Sequence, residues 1–240
     1  MEHERVFIGP SRREWIFGLV YLLAHVLLLQ AIILEILFLF LSVFGIVVTN
    51  VSYNAVSFLV DFGVLVICLG KYLRASFARF LEYGLSNLTT LLAGYGIYWG
   101  LTILMNMTLF LILPELPSPN NDAVIEMAVL EFWPMFVVAV LLAPVVEEII
   151  FRGAIFAPLR RVNRLLAYAV SSLAFGLWHV IQFLFFEFSP LLFLTMLLYI
   201  PAGIALAWVY ERSGSIWTPI ALHALINAVT FGLLALTMLA

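Results

Sequence analysis

The sequence predicts an all-α fold, a polytopic transmembrane helical bundle of about seven spans with an additional cytoplasmic interfacial helix. Three observations carry this. Of the 240 residues, 65% are apolar and 10% are charged, against about 45–50% and about 25% in soluble domains. Seven apolar runs approach the roughly 20 residues that a helix needs to cross a bilayer. The cations between those runs all fall on alternate connections, as they should if one side of a membrane retains them.

Taken in order, the first run covers roughly residues 15–41. It follows Arg12 and Arg13 and is far longer than the 7–15 residues of a signal-peptide core, so it reads as a retained first helix. The second covers roughly 51–70 and the third 87–113. Between them, residues 71–83 (KYLRASFARFLEY) set Leu73, Phe77, Phe80 and Leu81 on one helical face and Lys71, Arg74, Arg79 and Glu82 on the other. That is the pattern of a helix lying at the membrane surface. The turn-forming segment PELPSPNND at 114–122 is the expected external loop. It divides the chain into N-terminal membrane helices, 1–123, and a core, 124–240, within one integral domain. The remaining runs are roughly 132–159, 165–186, 191–210 and 216–238. Pro144 and Pro158 are expected to kink or divide the first of these.

With seven spans, Arg5, Arg12, Arg13, Lys71, Arg74, Arg79, Arg160, Arg161, Arg164 and Arg212 share one side. The opposite connections carry Glu115, Asp122, Glu126 and Glu187 and no cation. The expectation is an integral membrane protein, simplest as one of a prokaryotic cell membrane, with a cytoplasmic N-terminus and an external C-terminus. Membrane lipid is then an obligate partner. A net charge of -3 excludes the basic footprint of a nucleic-acid binder. The single cysteine, Cys68, excludes an intrachain disulfide.

Polar residues at membrane depth are expensive and usually face a bundle interior or a watery cavity. Glu148 and Arg152 stand four residues apart, one turn along a helix, and can pair; the adjacent Glu147 is then left without a helical partner. His179 lies in the next run, and His223 and Asn227 form another i, i+4 pair in the last. At about 1.5 Å per residue, Glu147, His179, His223 and Asn227 lie roughly 20, 21, 10 and 16 Å in from the cytoplasmic ends of their helices. They share a layer. Such a set either ties three helices together as a polar network or performs hydrolysis. His25, Gln30, Glu35 and Asp61 read as structural, with Asp61 and Glu35 expected to cap a neighbouring helix or to meet headgroups. The aromatic stretch FLFFEF at 183–188 reads as an interfacial belt.

The strings EEIIFR (147–152), FGLWH (175–179) and HALIN (223–227) resemble the EExxxR, FxxxH and HxxxN motifs of the CAAX protease and bacteriocin-processing family of intramembrane endopeptidases, which includes the type II CAAX prenyl endopeptidases. The resemblance covers about residues 130–230. It implies hydrolysis of a peptide bond in a membrane-associated peptide or a prenylated or otherwise lipidated protein. It also implies that Glu147 and His179 activate a water, that His223 and Asn227 hold the developing oxyanion, and that Glu148 and Arg152 support them. Two histidines and a glutamate are also the donor set of a catalytic zinc site, so zinc on Glu147, His179 and His223 stands beside the favoured cofactor-free reading. No HExxH string is present. A non-catalytic immunity or scaffolding protein of the same fold is the alternative function. A transporter would call for repeated halves or paired discontinuous helices, and the sequence offers only the prolines at 144, 158 and 201.

Overall fold

The computed structural model of the chain describes residues 7–25, 32–186 and 189–239. Among these there is no strand, and six helices are long and apolar enough to cross a membrane. They are α3 (Asn50–Cys68), α5 (Gly84–Ile112), α7 (Phe132–Arg160), α8 (Arg164–Phe186), α9 (Leu191–Ser213) and α10 (Trp217–Leu239). Shorter helices are α1 (Arg12–Ala24), α2 (Glu35–Val43), α4 (Gly70–Glu82) and α6 (Pro119–Leu130). The first expected span, 15–41, appears as α1 and α2, and residues 26–31 between them lie outside the described residues. The expectations for Arg5, Gln30 and Glu187 lie outside them as well.

The bundle is built around α7. Every residue from Ala143 to Ala157 is buried, because α1, α3, α8, α9 and α10 all pack against this helix. Apart from Glu147, Glu148 and Arg152 this stretch is apolar all round, as suits a helix enclosed on every side. Small residues set the close approaches: a Cβ on Gly18 of α1 would stand 2.7 Å from the Ala154 Cβ, and one on Gly203 of α9 would stand 2.8 Å from the Ser172 Cβ of α8. Without a hydrophobic drive between helices in lipid, close packing of this kind is what associates them. On the outer helices, Leu85, Leu111, Leu165 and Ile67 remain exposed, as lipid-facing side chains should.

α7 is not a regular α-helix. It passes through π-helical turns at Val137–Leu142 and Ile149–Phe156. The Ala143 N–H bonds back to the Val138 carbonyl, five residues earlier. In the same register the Ala139 carbonyl would need a donor at position 144, which is proline and has none. The kink expected from Pro144 is therefore expressed as a wide turn with one freed carbonyl.

One end of the bundle collects the cationic connections. Tyr210 donates to the Ile8 carbonyl (3.0 Å), the Tyr72 N–H to Glu14 (3.1 Å), and the Ile216 N–H to Ser76 Oγ (2.7 Å). Arg160 and Arg164 meet Glu211 at 2.6 and 2.9 Å. The segment before α1, α4, the α7–α8 turn and the α9–α10 turn therefore lie together.

α4 turns Tyr72, Leu73 and Ser76 into the protein, with Ser76 bonded to Ser215 and to the Ile216 N–H at the α9–α10 turn, and leaves Phe77 and Leu81 exposed on its outer side, as a helix lying at the membrane surface should. One expectation needs correction. The external loop is shorter than 114–122, because Pro119 opens α6, a first-turn position where its missing N–H costs nothing.

Candidate active site

Glu147 and Glu148 end one α-helical turn of α7, and Arg152 lies in the π-helical stretch beyond. Glu148 and Arg152 are fully buried and paired, with Nη1 3.1 Å from Oε1 and Nε 3.1 Å from Oε2. The guanidinium also donates to the Gly203 carbonyl (3.0 Å) and lies 4.6 Å from the Phe175 ring centroid. A buried charge needs this degree of pairing to be tolerated.

Glu148 has a second partner, because its Oε1 lies 2.9 Å from His223 Nδ1. Arg152 holds that carboxylate as an acceptor, so His223 Nδ1 carries the proton and Nε2 is left to face the site. His179 reaches the same state by another route. Its Nδ1–H donates to the Phe175 carbonyl (2.8 Å), and a carbonyl can only accept. Both Nε2 atoms lie 3.9 Å from one atom, Oε2 of Glu147. That oxygen is buried and has no hydrogen-bond partner among the described residues. The side chains of Glu147, His179 and His223 keep 7, 14 and 7% exposure, so the cluster is enclosed without being sealed.

Asn227 is placed differently from the three. Its Nδ2 donates to the Ala139 carbonyl at 2.7 Å, the acceptor that Pro144 leaves without a helical donor. One amide hydrogen is thus committed to the backbone of α7, and the other remains for a ligand.

Sequence reasoning missed three neighbours. Phe175, noted only as part of a motif, touches Arg152, His179 (centroids 4.7 Å apart) and His223 (5.7 Å). Tyr199 stacks on His179 at 4.2 Å and 18°, and its hydroxyl bonds Asn121 Oδ1 on α6 at 3.2 Å. Trp178, next to His179 in sequence, packs its ring on Phe151 with centroids 6.0 Å apart and on His25 at 5.1 Å. Asp61 is not a cap and does not meet headgroups: it is 1% exposed and binds Tyr21 and His25.

With metal–ligand distances of about 2.0–2.2 Å, tetrahedral donors stand about 3.3–3.5 Å apart, and the Nε2 atoms lie 3.9 Å from Glu147 Oε2. Among the described residues no group of three or more His, Cys, Asp or Glu has the arrangement to hold a metal ion.

Residues 129–229 match the family model of the type II CAAX prenyl endopeptidase Rce1-like proteins. The chain is also 34% identical over 112 residues to the Bacillus subtilis (strain 168) protein named "Putative membrane peptidase YdiL". That stretch is 46% of this chain and 41% of the relative, so the chain spans less than half the length of the curated protein it matches. No solved structure matches the chain. The matched region runs from the end of α6 to the middle of α10 and contains Glu147, Glu148, Arg152, His179, His223 and Asn227; over residues 129–229 this all-helical membrane protein is thus similar to the Rce1-like type II CAAX prenyl endopeptidases.

Proposed function

We propose that the protein is an intramembrane endopeptidase that hydrolyses a peptide bond of a membrane-associated or lipidated peptide with a water activated by Glu147. The observation that carries this reading is that the Nε2 atoms of two imidazoles lie 3.9 Å from a buried carboxylate oxygen that has no hydrogen-bond partner among the described residues. A water at about 2.8 Å from two atoms 3.9 Å apart sits at an angle of about 90°. Glu147 takes its proton as hydroxide attacks the scissile carbonyl, and then gives that proton to the departing amine. His179, fixed by Phe175 and Tyr199, accepts a hydrogen bond from the same water.

The oxyanion falls to the free amide hydrogen of Asn227 and to His223. His223 can donate there only in its doubly protonated form, with Nδ1–H on Glu148 and Nε2–H facing the substrate. Glu148 and Arg152 act through it, as a carboxylate orients the imidazole in other hydrolases. The cationic end of the bundle is assigned to the cytoplasm, which places the N-terminus inside and the C-terminus outside. The family match supports a peptide substrate, prenylated or otherwise held at the membrane.

The test uses purified protein in lipid bicelles with a panel of quenched peptides, prenylated C-terminal and leader-type, comparing wild type with Glu147→Gln. Cleavage by the wild type that disappears in a folded variant supports the proposal. A folded wild type that cleaves none of the panel transfers weight to the immunity or scaffolding function, as does a biological effect that survives Glu147→Gln.

A further inference from the structure

A tie that begins outside the matched region reaches His179 through α9. Pro201 has no N–H to give the Leu197 carbonyl four residues back, and that carbonyl accepts from the Ile200 N–H instead. Met196–Tyr199 of α9 accordingly wind as a 3₁₀ turn, in which residues three apart eclipse, so Met196 and Tyr199 face the same way. On α8, Gly176 and His179 are likewise three apart and share a face. The two pairs meet. A Cβ on Gly176 would stand 2.7 Å from the Met196 carbonyl oxygen, so only a residue without a side chain admits the turn. Tyr199 then lies nearly flat on the His179 ring, with centroids 4.2 Å apart and planes inclined at 18°. The turn is also anchored from the α5–α6 connection. Thr195, fully buried, donates its hydroxyl to the Pro117 carbonyl at 2.8 Å, closer than the Leu191 carbonyl of its own helix at 3.2 Å. The bond from the Tyr199 hydroxyl to Asn121 in the first turn of α6 is longer, at 3.2 Å, and exposed, so the buried Thr195 bond is the stronger anchor. His179 needs this support: its Nδ1–H bond to the Phe175 carbonyl fixes one atom and leaves the ring free to tilt about it. The Tyr199 face sets the plane of the ring, and with it the direction of Nε2, 3.9 Å from Glu147 Oε2.

We propose that Thr195 and Gly176 are positioning residues for His179 and act through Tyr199: Thr195 ties the 3₁₀ turn to the Pro117 carbonyl, Gly176 lets the turn reach α8, and together they hold Tyr199 against the imidazole. The α5–α6 connection thereby supports a site whose motifs all lie in the C-terminal core. The inference rests on the reading of His179 as the acceptor of the water's hydrogen bond, but its geometric half is measured without any substrate.

The experiment follows the His179 ring-proton resonances by NMR in bicelles, assigned through their loss in His179→Gln. Protons over the face of an aromatic ring are shielded, so Tyr199→Leu moves these resonances downfield, and Tyr199→Phe, which keeps the ring, retains most of the shielding. The tie predicts that Thr195→Val, which keeps the shape and loses the hydroxyl, and Gly176→Ala each move them toward the Tyr199→Leu positions. Thr195→Ser, which keeps the hydroxyl, leaves them close to the wild-type positions. Resonances that respond to Tyr199→Leu and ignore both Thr195→Val and Gly176→Ala in folded protein overturn the proposal, as does a lack of response to Tyr199→Leu itself. With a cleaved peptide in hand, Thr195→Val lowers kcat by about 10-fold at little-changed KM, since small misplacements of a reacting group are costly. Thr195→Ser restores most of the rate, and in a Tyr199→Leu background Thr195→Val adds less than about 2-fold, because contacting residues that act through one another are not additive. Fully additive losses that track thermal stability would make the contact a structural tie and refute the positioning role. Cleavage that survives Glu147→Gln would instead refute the function proposed above and leave the resonance result standing.

Discussion

Replacing Arg152 by methionine tests the buried electrostatics on which the cluster depends. The guanidinium has no exposure, meets both oxygens of Glu148 at 3.1 Å and donates to the Gly203 carbonyl at 3.0 Å. Removing one partner of a buried pair costs about 3–5 kcal/mol, because the remaining charge is uncompensated. Glu148→Gln alone strands the guanidinium and carries a similar cost, although the glutamine oxygen can still accept from His223 Nδ1. The double variant strands no charge; its main loss is the donor to Gly203, about 1–3 kcal/mol. It is therefore more stable than either single variant, with a coupling of about 3 kcal/mol or more. Reversible unfolding in bicelles, followed by tryptophan fluorescence for the four proteins of the cycle, measures this directly. A double variant that loses the sum of the two single losses would show that Glu148 and Arg152 do not sense one another, and the placement of His223 by Glu148 would lose its basis.

Other outcomes follow from the same geometry. Asn227→Leu removes an oxyanion donor, for which a loss of about 10²–10³ in kcat is expected, and it also strands the Ala139 carbonyl; Asn227→Asp, which cannot donate when ionised, should be as inactive. Tyr199→Leu frees the His179 ring from its 4.2 Å stack and should lower kcat more than it changes KM in the peptide assay, whereas Asn121→Ala should give a smaller loss of the same kind. Gly203→Ala drives a methyl to 2.8 Å from the Ser172 Cβ and 2.9 Å from its Cα, an overpacking cost of about 1–3 kcal/mol that a thermal melt would detect.

Six of the seven expected spans were legible because each is a long apolar run ended by charges or turn formers, and their ends differ from the expected positions by at most a few residues; the first, 15–41, is described instead as the shorter helices α1 and α2. The i, i+4 spacing of Glu148 and Arg152 survived even though the helix there widens into π-helical turns. Neighbours across helices were not legible. From Ala143 to Ala157 every face of α7 is buried, so no periodicity records which side meets His179 and which meets His223. Asn227 could be paired with His223 along its helix, but its bond to Ala139 depends on how Pro144 reorganises a different helix. Asp61 looked like a cap because its partners Tyr21 and His25 lie 40 and 36 residues away. The start of α6 at Pro119 was hidden by turn-forming residues that suit a loop and a helix N-terminus equally.

The most direct measurement is peptide cleavage by the wild type and by Glu147→Gln, each with and without a strong chelator and with zinc added back. The account predicts that wild-type cleavage survives the chelator, gains nothing from zinc and is lost by about 10²–10⁴-fold or more in Glu147→Gln, the range for removing a general base. Cleavage that the chelator abolishes and zinc restores would make His179, His223 and a glutamate metal ligands and contradict the glutamate-held water.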